Sequence, residues 1–380
     1  MIANCFCREN SAVQVHLIRP NRRERRLLPS AAYSGDREIK NLNEYIRSGT
    51  ISLLKGFYIE VLSLMKTLLL IVLVGWFAVP GTFPHWDRNP LASHLPKNDK
   101  ENIPIIPDVP RDAIPPLDFP RYESPQEAGW LRDDDFVLGI EFNNDARAYP
   151  LKILNWHEIV NEKVGGKDVL ISYCPLCRSG ILFDRHLEGR VLTFGNTGAL
   201  YESDMVMYDR QTGSFWFQVA GRAIRGPLKG KELSLLPSFL TTWGEWRTLY
   251  PTTKLLSRKT GFVRRYESDP YLGYDVANSL PAFPVSKTDS RLPYKEKIIG
   301  LLVNHVAKAY PVNLVRGKTL QDKVNGQRVE IIGDQAGISA RAFYIEAGRR
   351  KPAPSVATYW FAWYAAHPDT LVFRGRSAQE

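Results

Sequence analysis

The residues best equipped for chemistry in this chain are the thiols of Tyr173-Cys174-Pro175-Leu176-Cys177. A C-x-x-C spacing puts two sulfurs within reach of one metal ion, or of each other as a disulfide. Thiolate, imidazole and thioether are soft ligands suited to copper or zinc. His157 supplies an imidazole in Asn155-Trp156-His157-Glu158, and Met205 and Met207 form an M-x-M pair, the only methionines besides Met1 and Met65. The same M-x-M spacing also describes one face of a strand packed in a core. A closed zinc site takes four ligands, and the chain has no second C-x-x-C. A metal site therefore calls on His157, His186 or an aspartate to complete the sphere. The candidate ligands are Cys174, Cys177, His157 and Met207.

Two other uses of the cysteines stay open. C-P-x-C occurs in thiol-disulfide oxidoreductases, where a helix amino terminus lowers the first thiol's pKa. Here Arg178-Ser179-Gly180-Ile181-Leu182-Phe183-Asp184 reads as turn and strand, which weakens that analogy, although Arg178 could still stabilise a thiolate. The third use is structural: a pair that braces a turn in a non-catalytic interaction module. Glu158 beside His157 could act as acid or base, but the pairing is also common on solvated helices. Asp184-Arg185 and Asp209-Arg210 read as ion pairs, and Trp216, Trp243 and Trp246 as core. His186, His305 and His367 have no partner pattern. No phosphate loop, G-x-S-x-G or H-E-x-x-H is present, and no catalytic or cofactor-binding residue is assigned.

The elements that must position the thiols read as strands. Residues 136–142 and 146–151 form a hairpin around Asn143-Asn144-Asp145. Residues 153–160 read as a short helix, Gly165-Gly166 as a turn, and 169–173 as a buried strand that delivers Cys174. The same order recurs. Val137-Leu138-Gly139 matches Ile298-Ile299-Gly300, Ala146-Arg147-Ala148-Tyr149-Pro150 matches Ala307-Lys308-Ala309-Tyr310-Pro311, and Lys163-Val164-Gly165-Gly166 matches Lys323-Val324-Asn325-Gly326. Later, Trp243, Trp246 and Pro251 match Trp360, Trp363 and Pro368. In the second copy Cys174 aligns with Asp334, Cys177 with Gly337 and His157 with Lys318, so the candidate ligands belong to the first copy alone. Two copies are too few for a solenoid.

Upstream, residues 67–84 carry no charged side chain, a run at the lower limit for a helix that spans a bilayer. Trp76 and Trp86 suit the far interface, and Lys66 can snorkel. Residues 1–66 hold eleven Lys/Arg against six Asp/Glu, and the remainder 39 against 34, so half of the net +10 precedes the apolar run. That asymmetry orients the amino end to the cytoplasm and the body outward, at the inner membrane. It also removes the nucleic-acid reading, since the body has no basic, aromatic-interleaved stripe. Met65-Lys66 before the run alternatively reads as the start of a signal peptide, with residues 1–64 a misassigned extension. Residues 80–125 contain eleven of the 26 prolines and read as an extended spacer or wrapping arm.

The expected organisation is a mainly β (α+β) protein. A basic segment (1–64) precedes a transmembrane helix or signal anchor (65–85) and a Pro-rich linker (86–129). Two unequal β-rich half-domains follow, 130–290 with the C-P-L-C motif and a shortened 291–380. The partner implied is the membrane, through a single anchor; a protein partner or small-molecule substrate is undefined.

These residues carry a resemblance. The runs Trp156-His157-Glu158-Ile159-Val160-Asn161, Tyr173-Cys174-Pro175-Leu176-Cys177, Phe183-Asp184-Arg185, Val206-Met207-Tyr208-Asp209-Arg210-Gln211-Thr212-Gly213-Ser214 and Thr241-Thr242-Trp243 are similar to the bacterial domain-of-unknown-function family 3179. The resemblance spans roughly 130–369 and implies a bacterial protein, commonly exported or anchored, with no established activity. The second copy departs from the first at 316–321 and 334–340.

Overall fold

The computed structural model describes residues 105–276 and 278–375. The basic segment, the expected anchor and the first part of the linker lie outside the described residues. Among the described residues no helix is long and apolar enough to cross a membrane. The body is mainly β.

Strands β1 (Phe136–Phe142) and β2 (Asp145–Pro150) pair from Val137↔Pro150 to Phe142↔Asp145. Asn143 and Asn144 have φ of 50° and 62°, the conformation a two-residue hairpin turn requires and asparagine tolerates. Helix α1 (Leu151–His157) follows. It stops three residues short of the expected 160, because Glu158 takes the left-handed conformation, φ 56°, and caps it. β-Branched Ile159 and Val160 then enter β3 (Ile159–Val164), where their stiff side chains are favoured. β4 (Lys167–Cys174) and β5 (Ser179–Asp184) complete a hairpin whose last pair is Cys174↔Ser179.

An additional antiparallel sheet follows: β6 (Phe194–Tyr201), β7 (Asp204–Asp209), β8 (Phe215–Phe217) and β9 (Arg222–Arg225). Its open edge is covered by Ile106–Pro107 of the Pro-rich segment, which thus lies along the body here. The chain returns through β10 (Phe239–Thr242), antiparallel to β1. Helix α2 (Trp243–Leu249) and β11 (Lys254–Leu256), parallel to β2, come next.

The second half runs β12 (Lys297–Val303), β13 (Val306–Pro311), α3 (Val312–Val315), β14 (Thr319–Val324), β15 (Gln327–Gly333), β16 (Ala340–Glu346), β17 (Arg349–Pro352), β18 (Ser355–Tyr359), α4 (Trp360–Ala366) and β19 (Leu371–Val372). Several local devices occur in both halves. A Cβ on Gly139 would fall inside the Trp246 ring, and one on Gly300 inside the Trp363 ring, so both hairpins need glycine to admit an indole. Trp246 Nε1 donates to Thr253 Oγ1 at 2.9 Å, and Trp363 Nε1 to Thr370 Oγ1 at 2.8 Å. Glu162 accepts from Tyr122, Tyr149 and Arg147, while Asp322 accepts from Lys308 and Tyr310. These groups serve the scaffold.

One eight-stranded sheet, in the order β19-β13-β12-β18-β5-β4-β3 with the short strand Leu235–Leu236 also paired to β5, ties the halves together through the pair Ala357↔Gly180. The hairpin that bears the cysteines is therefore stitched to the second half. Its core joins Cys174 and Cys177 with Phe194, Trp216 and Phe217 of the additional sheet and Trp360 and Trp363 of α4.

Candidate functional site

The C-P-L-C segment is the tight turn between β4 and β5. Cys177 N–H donates to Cys174 O at 3.2 Å and Arg178 N–H to Pro175 O at 3.3 Å. Arg178, at φ 51°, supplies the left-handed residue that closes it. From the second half, Tyr359 N–H and Thr358 O–H both donate to Cys177 O, at 2.9 and 3.0 Å. From the additional sheet, buried Gln218 accepts from Ser179 O–H at 2.7 Å and donates to Ser172 Oγ at 3.0 Å. The turn is thus braced on both sides, and the two thiols, which are not joined to each other, face the additional sheet.

What they meet there is Asp204. Cys174 Sγ, Cys177 Sγ and a carboxylate oxygen of Asp204 all lie within 4.8 Å of one another, and all three residues are buried. Asp204 is placed by the β6–β7 turn, where Glu202 and Ser203 have φ of 53° and 58°. Such a turn ordinarily uses Asn or Gly, so two strained residues are held here by tertiary contacts. Glu202 accepts from Ser286 N–H at 2.7 Å, and Ser203 Oγ from Phe283 N–H at 3.3 Å. The same turn aims Ser203 O at Cys177, whose thiol donates to it at 3.3 Å. Asp204 Oδ2 accepts from Val219 N–H at 2.8 Å, whereas Oδ1, fully sealed from solvent, has no donor in hydrogen-bonding geometry. A buried carboxylate oxygen without a partner is costly and needs an explanation.

Burial dominates the electrostatics. It pushes both thiols up, Cys177 well above its ordinary range, and the neighbours that bear on them, Asp204 and Glu158, are acidic. It lifts Asp204 to about 6 against the pull of the Val219 amide and the nearby thiols. It lifts Glu158 to about 8, against hydrogen bonds from Asn196 and Tyr271. Glu158 Oε2 accepts from Asn196 Nδ2 at 2.6 Å, and the same amide approaches Met205 Sδ at 3.4 Å. Glu158, Cys174, Asn196, Met205 and Tyr271 line one cavity of about 30 Å³, room for a water or an ion.

The other expected ligands lie elsewhere. His157 is fully buried and is not among the three clustered residues. Its Nδ1–H donates to Pro115 O at 2.8 Å, which leaves Nε2 as the acceptor, taken by Tyr266 O–H at 2.7 Å. Desolvation holds its pKa at about 4, so the ring is neutral at pH 7 and its lone pair is spoken for. Met207 is buried in the β7 ladder opposite Asn196 and Trp216; of the two methionines it is Met205 that borders the thiol cavity. His186 sits on the surface beside Asp184 and Asp168. Arg178 pairs with Asp275 at 3.0 Å and stacks on Phe136.

Asp204, Ser203 and Asn196 were not singled out by sequence reasoning. The available signal for Asp204 was an acid placed directly ahead of the uncharged run Met205-Val206-Met207-Tyr208. In the second half, the residue aligned in sequence with Cys174 is Asp334. Its carboxylate closes its own turn by accepting from Ile338 N–H, Ser339 N–H and Ser339 O–H, each at 2.9 Å.

Residues 111–370 match the family model described as a protein of unknown function, DUF3179. No curated protein and no solved structure matches the chain.

Proposed function

Because the chain belongs to the DUF3179 family, whose description assigns no activity, we propose its function from the site itself: Cys174, Cys177 and Asp204 bind a zinc ion. The observation that carries this reading is the convergence of two thiols and a carboxylate within 4.8 Å, all buried. The unpartnered Asp204 Oδ1 supports it, since a cation would satisfy that oxygen. A dication also reverses the local pKa logic: it deprotonates coordinating thiols that burial alone keeps neutral. The hard carboxylate oxygen in the set favours zinc over copper(I). Three protein ligands leave a fourth position for a water or a substrate atom.

Disulfide exchange needs an accessible, low-pKa thiolate. Both thiols here are sealed and pushed up, which works against it. The proposal includes the anchor at 65–85, which would hold the body outside the inner membrane, and a common origin of the two halves. On that view the second copy closes its turn with Asp334 where the first uses a metal. Elemental analysis of the purified full chain under reducing conditions tests the reading. About one zinc per chain is expected, lost in Cys174→Ser and in Asp204→Ala; metal-free wild-type protein would overturn it.

A further inference from the structure

Of the eleven large apolar side chains strongly exposed among the described residues, five (Phe262, Val263, Leu272, Val276 and Leu280) fall in the single connection between β11 and β12. The most exposed is Val263, at 95%. It is not on a loose tip. Tyr266 O–H donates to His157 Nε2, Thr260 O–H then donates to the Tyr266 oxygen at 2.6 Å, and Thr260 Oγ1 accepts Phe262 N–H at 3.2 Å. The Phe262 ring packs on His157, with centroids 5.3 Å apart. His157 is thus the buried post to which this loop is tied, and Val263 is presented beyond it.

The loop is also basic. Arg258, Lys259, Arg264 and Arg265 line one open groove of about 720 Å³ together with Phe262 and Val263. The acids on that groove are Glu123 and Glu267. Glu267 pairs with Arg258, and Glu123 accepts from Trp130 and from Ser257. Four cations therefore face two carboxylates, around an apolar tip. Apolar side chains that enter the headgroup–acyl boundary, flanked by Lys and Arg that pair with phosphates, are what an anionic bilayer surface binds.

We propose that the loop 257–267 is a membrane-contact element that seats Val263 in the bilayer interface and holds anionic phospholipid headgroups in its basic groove. This stands independently of the metal site. The test is hydrogen–deuterium exchange of the full chain in nanodiscs of phosphatidylcholine alone or with phosphatidylglycerol, so that any anchor is satisfied in both. The peptide 257–268 is expected to slow in the anionic discs only. Lys259→Ala with Arg264→Ala should weaken this engagement about 30-fold, at about fivefold per cation. Val263→Asp should abolish it while leaving exchange of β4 and β5 unchanged. Equal exchange in the two lipids would overturn the proposal. So would protection of the same peptide by inorganic phosphate or RNA with no bilayer present, or protection that survives Val263→Asp.

Discussion

Replacing Glu158 by Gln changes how the stability of the metal-free protein depends on pH. Burial raises the Glu158 carboxyl from its ordinary 4.5 to about 8. Between those values the folded state keeps a proton that the unfolded state has released. The sign follows: the contribution is complete below about pH 4.5 and is lost as pH rises through 8. Each pKa unit corresponds to about 1.4 kcal/mol, so the wild type loses about 3 kcal/mol between pH 5 and pH 8 from this group alone. Asp204, raised to about 6, acts with the same sign but mostly below pH 6. His157, lowered to about 4, acts with the opposite sign between about 4 and 6.5 and stabilises as pH rises. Both are common to wild type and variant, so the difference between the two isolates Glu158. Glutamine has no proton to lose and can still accept from Asn196. The assay is urea unfolding of both proteins at pH 5, 6, 7 and 8 with a chelator present. The gap between them should shift by about 3 kcal/mol in favour of Glu158→Gln as pH rises. Parallel pH profiles would refute the reasoning.

Two further substitutions probe the scaffold around the site. Gly139→Ala and Gly300→Ala each drive a methyl into a buried indole and should cost about 1–3 kcal/mol or more, seen as a lowered melting temperature. Melting unchanged in either would contradict the glycine–tryptophan packing. Tyr266→Phe leaves His157 Nε2 without its donor and unties Thr260, at a cost of about 1–3 kcal/mol in urea unfolding. A neutral result would mean that the histidine is not held as described.

The parts of this account that were legible in the sequence are those written in local pattern. The hairpin at Asn143-Asn144 announces itself through turn chemistry. The C-P-L-C turn follows from a strand that ends at a proline. The Gly139/Trp246 and Gly300/Trp363 correspondence appears as repeated spacing, although the packing of indole over glycine does not. What stayed hidden depends on strain and on distant chain. Asp204 reaches the thiols from another sheet, across a turn whose two residues, Glu202 and Ser203, take a backbone that their types disfavour. Nothing in their identity signals φ above zero, because the contacts that hold them come from Phe283 and Ser286. Glu158 ends α1 by the same means, which is why the expected helix ran on to 160. His157 looked like a ligand because imidazoles often are. Its engagement by Pro115 and Tyr266 involves residues far along the chain in both directions.

X-ray absorption at the zinc edge of the purified, reduced full chain tests the central claim most directly, because it counts ligands by type. The site described here predicts about two sulfurs near 2.3 Å and oxygen ligands near 2.0–2.2 Å, with the zinc signal lost in Cys177→Ser as in Cys174→Ser. A shell with no sulfur, or with four, would contradict it.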